Sequence, residues 1–330
     1  MWYRSRRRSD RWFFTIIIWV LVFKEQFFDL YEMLPGVYAG FAVTISVSLL
    51  TNPPDGAAAE FEAVRRSITH YKEKEMQITE TQITHFHRNG FFLIPNLFDQ
   101  NQMRQIDRLQ QDKEAVWEKT AWPEGMNVMA CQFLMLGEPV LQLAEHPSLI
   151  HCAKQLLDCD RVHIGACGCG DASKIVSADG RRRQQVHWHT DGSPEVKQVS
   201  IRIALDRHDP TNAPLRVLPG SHVRSREEMR EELTQLEIAT GQHKTLPEQL
   251  FARHPHEVEI TLDPHWALIW TPCCWHATGV KTAAGPRRAM AWNYFPPGGR
   301  QRDTAAVRHI YGAEWTQWPE ARQRLWGLID

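Results

Sequence analysis

The segment Val186-His187-Trp188-His189-Thr190-Asp191-Gly192 decides how the rest of the sequence is interpreted. Side chains two residues apart on a strand point to the same face, so a strand here presents the His189 imidazole and the Asp191 carboxylate to one point. A third ligand has to come from elsewhere, and His276 is the best candidate. Two histidines and one carboxylate on one face of a metal leave coordination positions open, as in the non-haem Fe(II) oxygenases.

The histidines of this segment leave a second interpretation open. An H-x-D pair alone is a weak signal, because it arises by chance in many proteins. His187 is also in register with His189, and a cupin-like site would use these two as an H-x-H pair. A histidine packed behind the metal ligands is the other interpretation of His187.

A basic residue follows His276 at a suitable place. Arg287 comes after a turn that contains Gly285-Pro286, at the start of a strand predicted over Arg288–Phe295. A guanidinium there can bind a carboxylate through two parallel hydrogen bonds. Thr278, two residues after His276 and on the same face of a strand, would add a hydroxyl donor.

Periodic patterns predict the fold around these residues. Val199, Ile201, Ile203 and Leu205 alternate with polar or small residues, which is typical of a strand with one buried face. Similar short runs recur up to Phe295 and are separated by Pro/Gly turns. Ahead of them, Asp99 is a predicted helix N-cap and Pro147 a predicted first-turn residue. The pattern favours a mainly β sandwich or jelly roll with flanking helices.

Composition excludes some classes of function. Lys+Arg 38 against Asp+Glu 39 gives a net charge of -1, so no basic surplus indicates a nucleic-acid partner. The 7 cysteines contain no C-x-x-C pair, which argues against a zinc ribbon and a secreted disulfide framework. They are expected to be reduced, mostly buried thiols.

The first 76 residues differ from the rest of the chain. Residues 1–51 carry apolar runs at 12–23 and 33–50, which predict one or two apolar helices, and 52–76 is a predicted linker to a domain over 77–330. The stretch Phe28-Asp-Leu-Tyr-Glu-Met-Leu-Pro-Gly36, with the apolar helix after it, resembles the last transmembrane segment of sodium/proline-type symporters, and the resemblance extends over about 12–70. Two interpretations remain: a gene-boundary artefact, or a membrane anchor through residues 12–50.

Residues from about 77 to 300 resemble the phytanoyl-CoA dioxygenase family of Fe(II)/2-oxoglutarate oxygenases. An opening helix and strand, a W-H-x-D motif, a proline-glycine turn and a distal histidine with its arginine occur in the family's order. In this sequence they are Glu80-Thr-Gln-Ile83, Arg88-Asn-Gly-Phe-Phe-Leu-Ile-Pro95, Trp188-His189-Thr190-Asp191, Asn212-Ala-Pro-Leu-Arg-Val-Leu-Pro-Gly-Ser-His222, and His276 with Arg287. Ala213 stands where the family commonly has glycine.

The resemblance implies a double-stranded β-helix in which His189, Asp191 and His276 bind Fe(II), and Arg287, helped by Thr278, binds 2-oxoglutarate. With O₂, such an enzyme hydroxylates a small molecule and releases succinate and CO₂. Related halogenases lack the carboxylate ligand, so Asp191 favours hydroxylation. The alternative is a catalytically silent or cupin-like jelly roll tethered to a membrane.

The requirement for ferrous iron favours a cytoplasmic catalytic domain, with attachment to the inner face of the cell membrane if residues 12–50 form an anchor. The identity of the substrate and the oligomeric state are not readable from the sequence.

Overall fold

The structure is a computed structural model, and it describes residues 78–174, 185–193, 195–240, 249–299 and 303–330. The chain divides into two units, Met1–Lys74 and Glu75–Asp330, and every described residue belongs to the second. The predicted apolar helices, the linker and the symporter-like segment lie outside the described residues, so these expectations and the domain boundary at residue 77 stay predictions. Within the described ranges, no helix combines the length and apolar character needed to cross a membrane.

Helices come first in the described part of the chain. They are α1 (Glu80–Asn89), α2 (Gln100–Trp117), α3 (Val128–Leu134), α4 (Glu138–Ala144) and α5 (Pro147–Leu157). Asp99 caps α2 by accepting hydrogen bonds from the amides of Asn101 and Gln102, and Pro147 opens α5, as the sequence predicts. The apolar faces of these helices form one core with the outer face of the main sheet.

Two antiparallel sheets complete the fold. The strands are β1 (Phe91–Ile94), β2 (His163–Asp171), β3 (Val199–Ala204), β4 (Leu215–Val217), β5 (Val258–Ile260), β6 (Ala267–Trp270), β7 (His276–Thr278) and β8 (Arg288–Phe295). The larger sheet has the order β1-β6-β3-β8-β2, and the smaller sheet has the order β5-β4-β7. A small apolar core of Leu215, Val217, Leu268 and Trp270 joins the two sheets, which gives a jelly roll.

The strand prediction is confirmed for the runs that begin at Val199 and at Arg288. It is wrong for the segment from Val186 to Gly192, which forms no strand and makes a single isolated β-bridge, between His189 and His276.

The larger sheet separates the helix core from the interior of the jelly roll. On β3, Ile201 and Ile203 belong to the helix core, so the alternating residues Ser200, Arg202 and Ala204 face inward. The register places Arg202 opposite Ala291 of β8, and Ala291 opposite Gly168 of β2.

One row along, Ala204 lies opposite Ala289, and Ala289 lies opposite Gly170. We call the set Gly168, Gly170, Ala289 and Ala291 the inner floor. Its side chains are minimal, so it leaves open space between the sheets.

The later helices are α6 (Arg226–Ala239), α7 (Thr304–Tyr311) and α8 (Glu320–Leu325). Helix α6 buries Met229, Leu233 and Glu237 on one of its faces. All seven cysteines lie in the described residues, and five of them are buried, as the sequence predicts for most of these thiols.

Candidate metal centre

Backbone pairing brings the two predicted histidine ligands together. The amide of His189 donates to the carbonyl of His276, and the amide of His276 donates to the carbonyl of His189, both at 3.0 Å. This antiparallel bridge sets the ring centroids 4.2 Å apart. Ligands that are far apart in sequence are therefore fixed by adjacent backbone rather than by flexible loops.

Each histidine directs the same ring nitrogen towards the centre of the site. Nδ1 of His189 lies 2.8 Å from the carbonyl oxygen of His187, and Nδ1 of His276 lies 2.9 Å from that of Cys274. A carbonyl oxygen only accepts hydrogen bonds, so each Nδ1 carries the proton and each Nε2 keeps its lone pair. Two Nε2 lone pairs directed to one point are suited to a divalent metal.

Asp191 completes the set. Its two carboxylate oxygens lie 3.5 Å from Nε2 of His189 and 3.3 Å from Nε2 of His276. The ligand atoms of the three residues all lie within 4.8 Å of one another, and they form the one such group among the described residues. The amide of Asp191 donates to the carbonyl of Pro272 at 3.0 Å, which fixes the loop that carries the carboxylate.

The protonation states suit metal binding. Burial, and then the neighbouring His276, lower the pKa of His189 to about 4, so its ring is neutral. Burial raises the pKa of Asp191, but the two histidines and Arg202 outweigh burial and lower that pKa to about 2. The site therefore offers a neutral His189 imidazole and an ionised Asp191 carboxylate, which are the forms that bind metal.

Arg287 lines the same cavity as the three candidate ligands. Its Nε donates to the carbonyl of Ala213 at 2.7 Å, and its amide donates to the carboxylate of Asp171 at 2.9 Å. Its buried Nη2 has no hydrogen-bond partner. Burial, and then the charge of Arg202, lower the pKa of Arg287 to about 9. A buried cation with an unused donor is a site for a carboxylate.

Thr278 lies on β7, the same strand as His276. Its Oγ1 accepts a hydrogen bond from the amide of Val186 at 2.7 Å, and the side chain lines the cavity. A hydroxyl that accepts still has its own proton to donate, so the donor role predicted for Thr278 fits its position.

A single cavity of about 650 Å³ connects these groups. Its lining includes the three candidate ligands, Thr278, Arg287 and the inner floor. The sequence prediction missed two further charged groups in this lining, Asp171 and Arg202. For Arg202, the available signal was an arginine in the middle of a strand whose other residues are apolar or small.

Neither His187 nor Cys169 belongs to the candidate ligand group. The ring of His187 lies 5.5 Å from that of His189 and packs edge-on against Phe251 at 6.2 Å. Burial raises the pKa of the Cys169 thiol to about 12, so this thiol stays protonated. The sequence does not reveal the role of Arg181, Arg182 and Arg183, and these three lie outside the described residues.

The geometry defines a jelly-roll protein with a two-histidine, one-carboxylate metal site, and comparison with known proteins agrees. The model of the phytanoyl-CoA dioxygenase (PhyH) family matches residues 86–289, which include all five predicted site residues. The chain therefore belongs to this family.

Curated relatives are named ectoine dioxygenase. The protein of Bordetella bronchiseptica is 27% identical over 160 residues, which cover 44% of this chain and 50% of that protein. The protein of Sphingopyxis alaskensis is 25% identical over 160 residues, with the same coverage of 44% and 50%. The chain thus spans about half the length of the curated relatives it matches.

Solved structures show the same fold. The carbocyclase SnoK from nogalamycin biosynthesis, described as non-haem and α-ketoglutarate dependent, has a TM-score of 0.51 at 17% identity, with 72% of this chain and 92% of that chain covered. EctD from S. alaskensis with bound Fe has a TM-score of 0.50 at 20% identity, with 68% of this chain and 79% of that chain covered.

Proposed function

We propose that the protein is an Fe(II)- and 2-oxoglutarate-dependent oxygenase that hydroxylates a small molecule. The observation that carries the proposal is the content of one cavity. A two-histidine, one-carboxylate ligand group and a buried guanidinium with an unused donor line the same space. Family membership and the curated relatives support the same activity.

The donor set fits the proposed cofactors. His189, Asp191 and His276 would hold Fe(II), and Arg287 with Thr278 would hold 2-oxoglutarate. Bound iron, with 2-oxoglutarate and O₂, supplies the oxidising chemistry. The carboxylate of Asp191 occupies the position that a halide needs in related halogenases, which supports hydroxylation as the outcome.

The protein's own contribution is placement and exclusion of water. The Cys274 and His187 carbonyls hold the imidazoles in one tautomer, and the edge of the Trp270 ring packs against His276 at 4.6 Å. A cavity of about 650 Å³ has room for a dicarboxylate and a second small molecule. A small-molecule substrate therefore fits better than a polymer.

The test is turnover of 2-oxoglutarate. The full chain with Fe(II) and O₂ should convert 2-oxoglutarate to succinate, slowly without the substrate and faster with it. His189→Ala should abolish succinate formation, because two ligands hold the metal poorly. His256→Ala is the matched control, because His256 is exposed. Full turnover by His189→Ala would refute the ligand assignment.

We also propose that residues 77–330 act in the cytoplasm. Seven free thiols in the described part of the chain support a reducing compartment. Attachment through residues 12–50 is tested by fractionating cells that express the full chain and comparing them with cells that express residues 77–330. Equal recovery of both proteins in the soluble fraction would rule out the anchor.

A further inference from the structure

Arg202 is a charged side chain on the apolar middle strand of the larger sheet. It lies on β3, opposite Leu268 of β6 and Ala291 of β8, and it lines the metal cavity. Its Nε is buried without a hydrogen-bond partner, and the described residues include no hydrogen bond or ion pair to its side chain. The inner floor beside it carries no side chain that could pair with it.

Few negatively charged groups lie near Arg202 to balance its positive charge. Burial lowers its pKa, and the nearest opposing charge is Asp191. Its charge also lowers the pKa of Arg287, which places two guanidiniums in one electrostatic environment, each with an unpartnered nitrogen. Burial and these two arginines lower the pKa of His208 to about 2, so His208 stays neutral. A buried guanidinium, Arg287, and a partly buried one, Arg202, each with a buried nitrogen that has no partner, favour binding of an anion.

The register gives the separation of the two arginines. Arg202 lies opposite Ala291, which is four residues along β8 from Arg287, and at roughly 3.3 Å per residue this is about 13 Å of strand. A five-carbon dicarboxylate together with two extended arginine side chains spans that length. The Arg202 row is also the one nearer the metal, because Trp270, which touches His276, lies opposite Ser200 on the same strand.

From this placement we propose that Arg202 binds the carboxylate of 2-oxoglutarate next to the metal, while Arg287 binds the far carboxylate. The inference rests on the proposed function and adds a second cosubstrate-binding residue to it. A divalent metal and two guanidiniums bring four positive charges against the carboxylates of Asp171 and Asp191 in the cavity lining. A dianion balances that set, whereas a neutral ligand leaves it cationic.

The test separates the two ends of the cosubstrate. Full-chain protein loaded with Mn(II) is titrated in a calorimeter, without O₂, with 2-oxoglutarate and with 2-oxopentanoate, which lacks the far carboxylate. Arg202→Met should weaken binding of both ligands at least about tenfold, the loss of one charge-assisted hydrogen bond. Arg287→Met should weaken the binding of 2-oxoglutarate to a similar extent and leave the affinity for 2-oxopentanoate unchanged.

Control variants isolate the effect. Arg207→Met removes an exposed cation just beyond β3, paired with Asp209 and Asp263, and should bind both ligands as the wild type does. Arg202→Lys keeps the charge and should give intermediate affinity for both ligands; it also serves if Arg202→Met does not fold. Mn(II) affinity without ligand is measured for each variant, so that a metal-binding defect is seen separately.

Three results have distinct meanings. Unchanged 2-oxoglutarate affinity in Arg202→Met overturns the inference and leaves the proposed function standing. Loss of affinity for 2-oxoglutarate alone also overturns it, because Arg202 would then serve the far carboxylate. If the metal-loaded wild type binds neither ligand, the proposed function itself fails.

Discussion

Adjacent residues of the same type have opposite tasks in this protein. Arg288 is fully paired: its Nε and Nη2 donate to the two carboxylate oxygens of Asp206 at 3.0 and 2.7 Å, and Nη2 also lies 2.7 Å from a carboxylate oxygen of Asp107. Burial lowers the pKa of Arg288, and these carboxylates outweigh burial and raise it. Arg287, by contrast, keeps an unpartnered Nη2 and a lowered pKa. One arginine stabilises the fold, and the other remains available for a ligand.

This contrast predicts a separation of stability from binding. Arg288→Met should lower the free energy of unfolding by about 2 kcal/mol, since it leaves Asp206 without its partner in a largely buried position. Its 2-oxoglutarate affinity should stay within about twofold of wild type. Arg287→Met should change stability by less than about 1 kcal/mol, because removing a desolvated charge offsets the lost hydrogen bond. The affinity of Arg287→Met for 2-oxoglutarate should be at least about tenfold lower than that of the wild type.

Urea denaturation without ligand and calorimetry with 2-oxoglutarate measure the two quantities. A larger stability loss in Arg287→Met than in Arg288→Met would show that the roles have been assigned the wrong way round.

At the scale of secondary structure elements, helix α6 holds the ligand loop from outside. The Nη2 of Arg226, in the first turn of α6, donates to the Thr190 hydroxyl at 2.7 Å and also to the carbonyl of Gly192. These two partners flank Asp191 in sequence. At the other end of α6, the buried Glu237 accepts hydrogen bonds from the amides of Phe251 and Ala252 at 2.7 and 2.6 Å. The helix is therefore fixed at both ends and in turn fixes the loop.

The variant Arg226→Ala tests this arrangement. Without the two hydrogen bonds, the Asp191 loop should move more freely, and metal affinity should fall by about tenfold, the range found when groups that orient metal ligands are removed. Stability should change by less than about 1 kcal/mol, because Arg226 is exposed. Arg230→Ala, one turn further along α6, is the matched control. The metal affinity of each variant is measured by calorimetric titration. Equal metal affinities of Arg226→Ala and Arg230→Ala would contradict the proposed role of Arg226.

Parts of these elements were predictable and parts were not. The His189, Asp191 and His276 set was predictable from the H-x-D spacing and from the resemblance to the family's motif order. The strand expected around His189 and Asp191 is a loop, because a single β-bridge, between His189 and His276, pairs it with β7.

The role of α6 was not visible, because the partners of Glu237 at 251 and 252 lie beyond a long stretch of sequence. The charge environment of Arg202 depends on its register with Ala291 and Gly168, and a single sequence does not give strand register.

At the scale of the whole molecule, the two sheets have different roles: the larger one forms a wall of the cavity, and the smaller one carries His276 and Thr278. The larger sheet is fixed from outside by the helix core, and its inner floor of glycine and alanine leaves the cavity open. The smaller sheet supplies His276 and Thr278 from β7, and the strand pairing between His189 and His276 closes the site. The fold thus places the candidate metal site and Arg287 in the lining of one cavity between the sheets.

The most direct test of the central claim needs no knowledge of the substrate. Full-chain protein, freed of metal and kept without O₂, is mixed with Fe(II) and 2-oxoglutarate, and its visible spectrum is recorded. Chelation of ferrous iron by 2-oxoglutarate in the site should produce a visible charge-transfer band in the wild type and none in His276→Ala. A wild-type protein that binds Fe(II) and 2-oxoglutarate but develops no band, or a His276→Ala protein with the full band, would contradict the account.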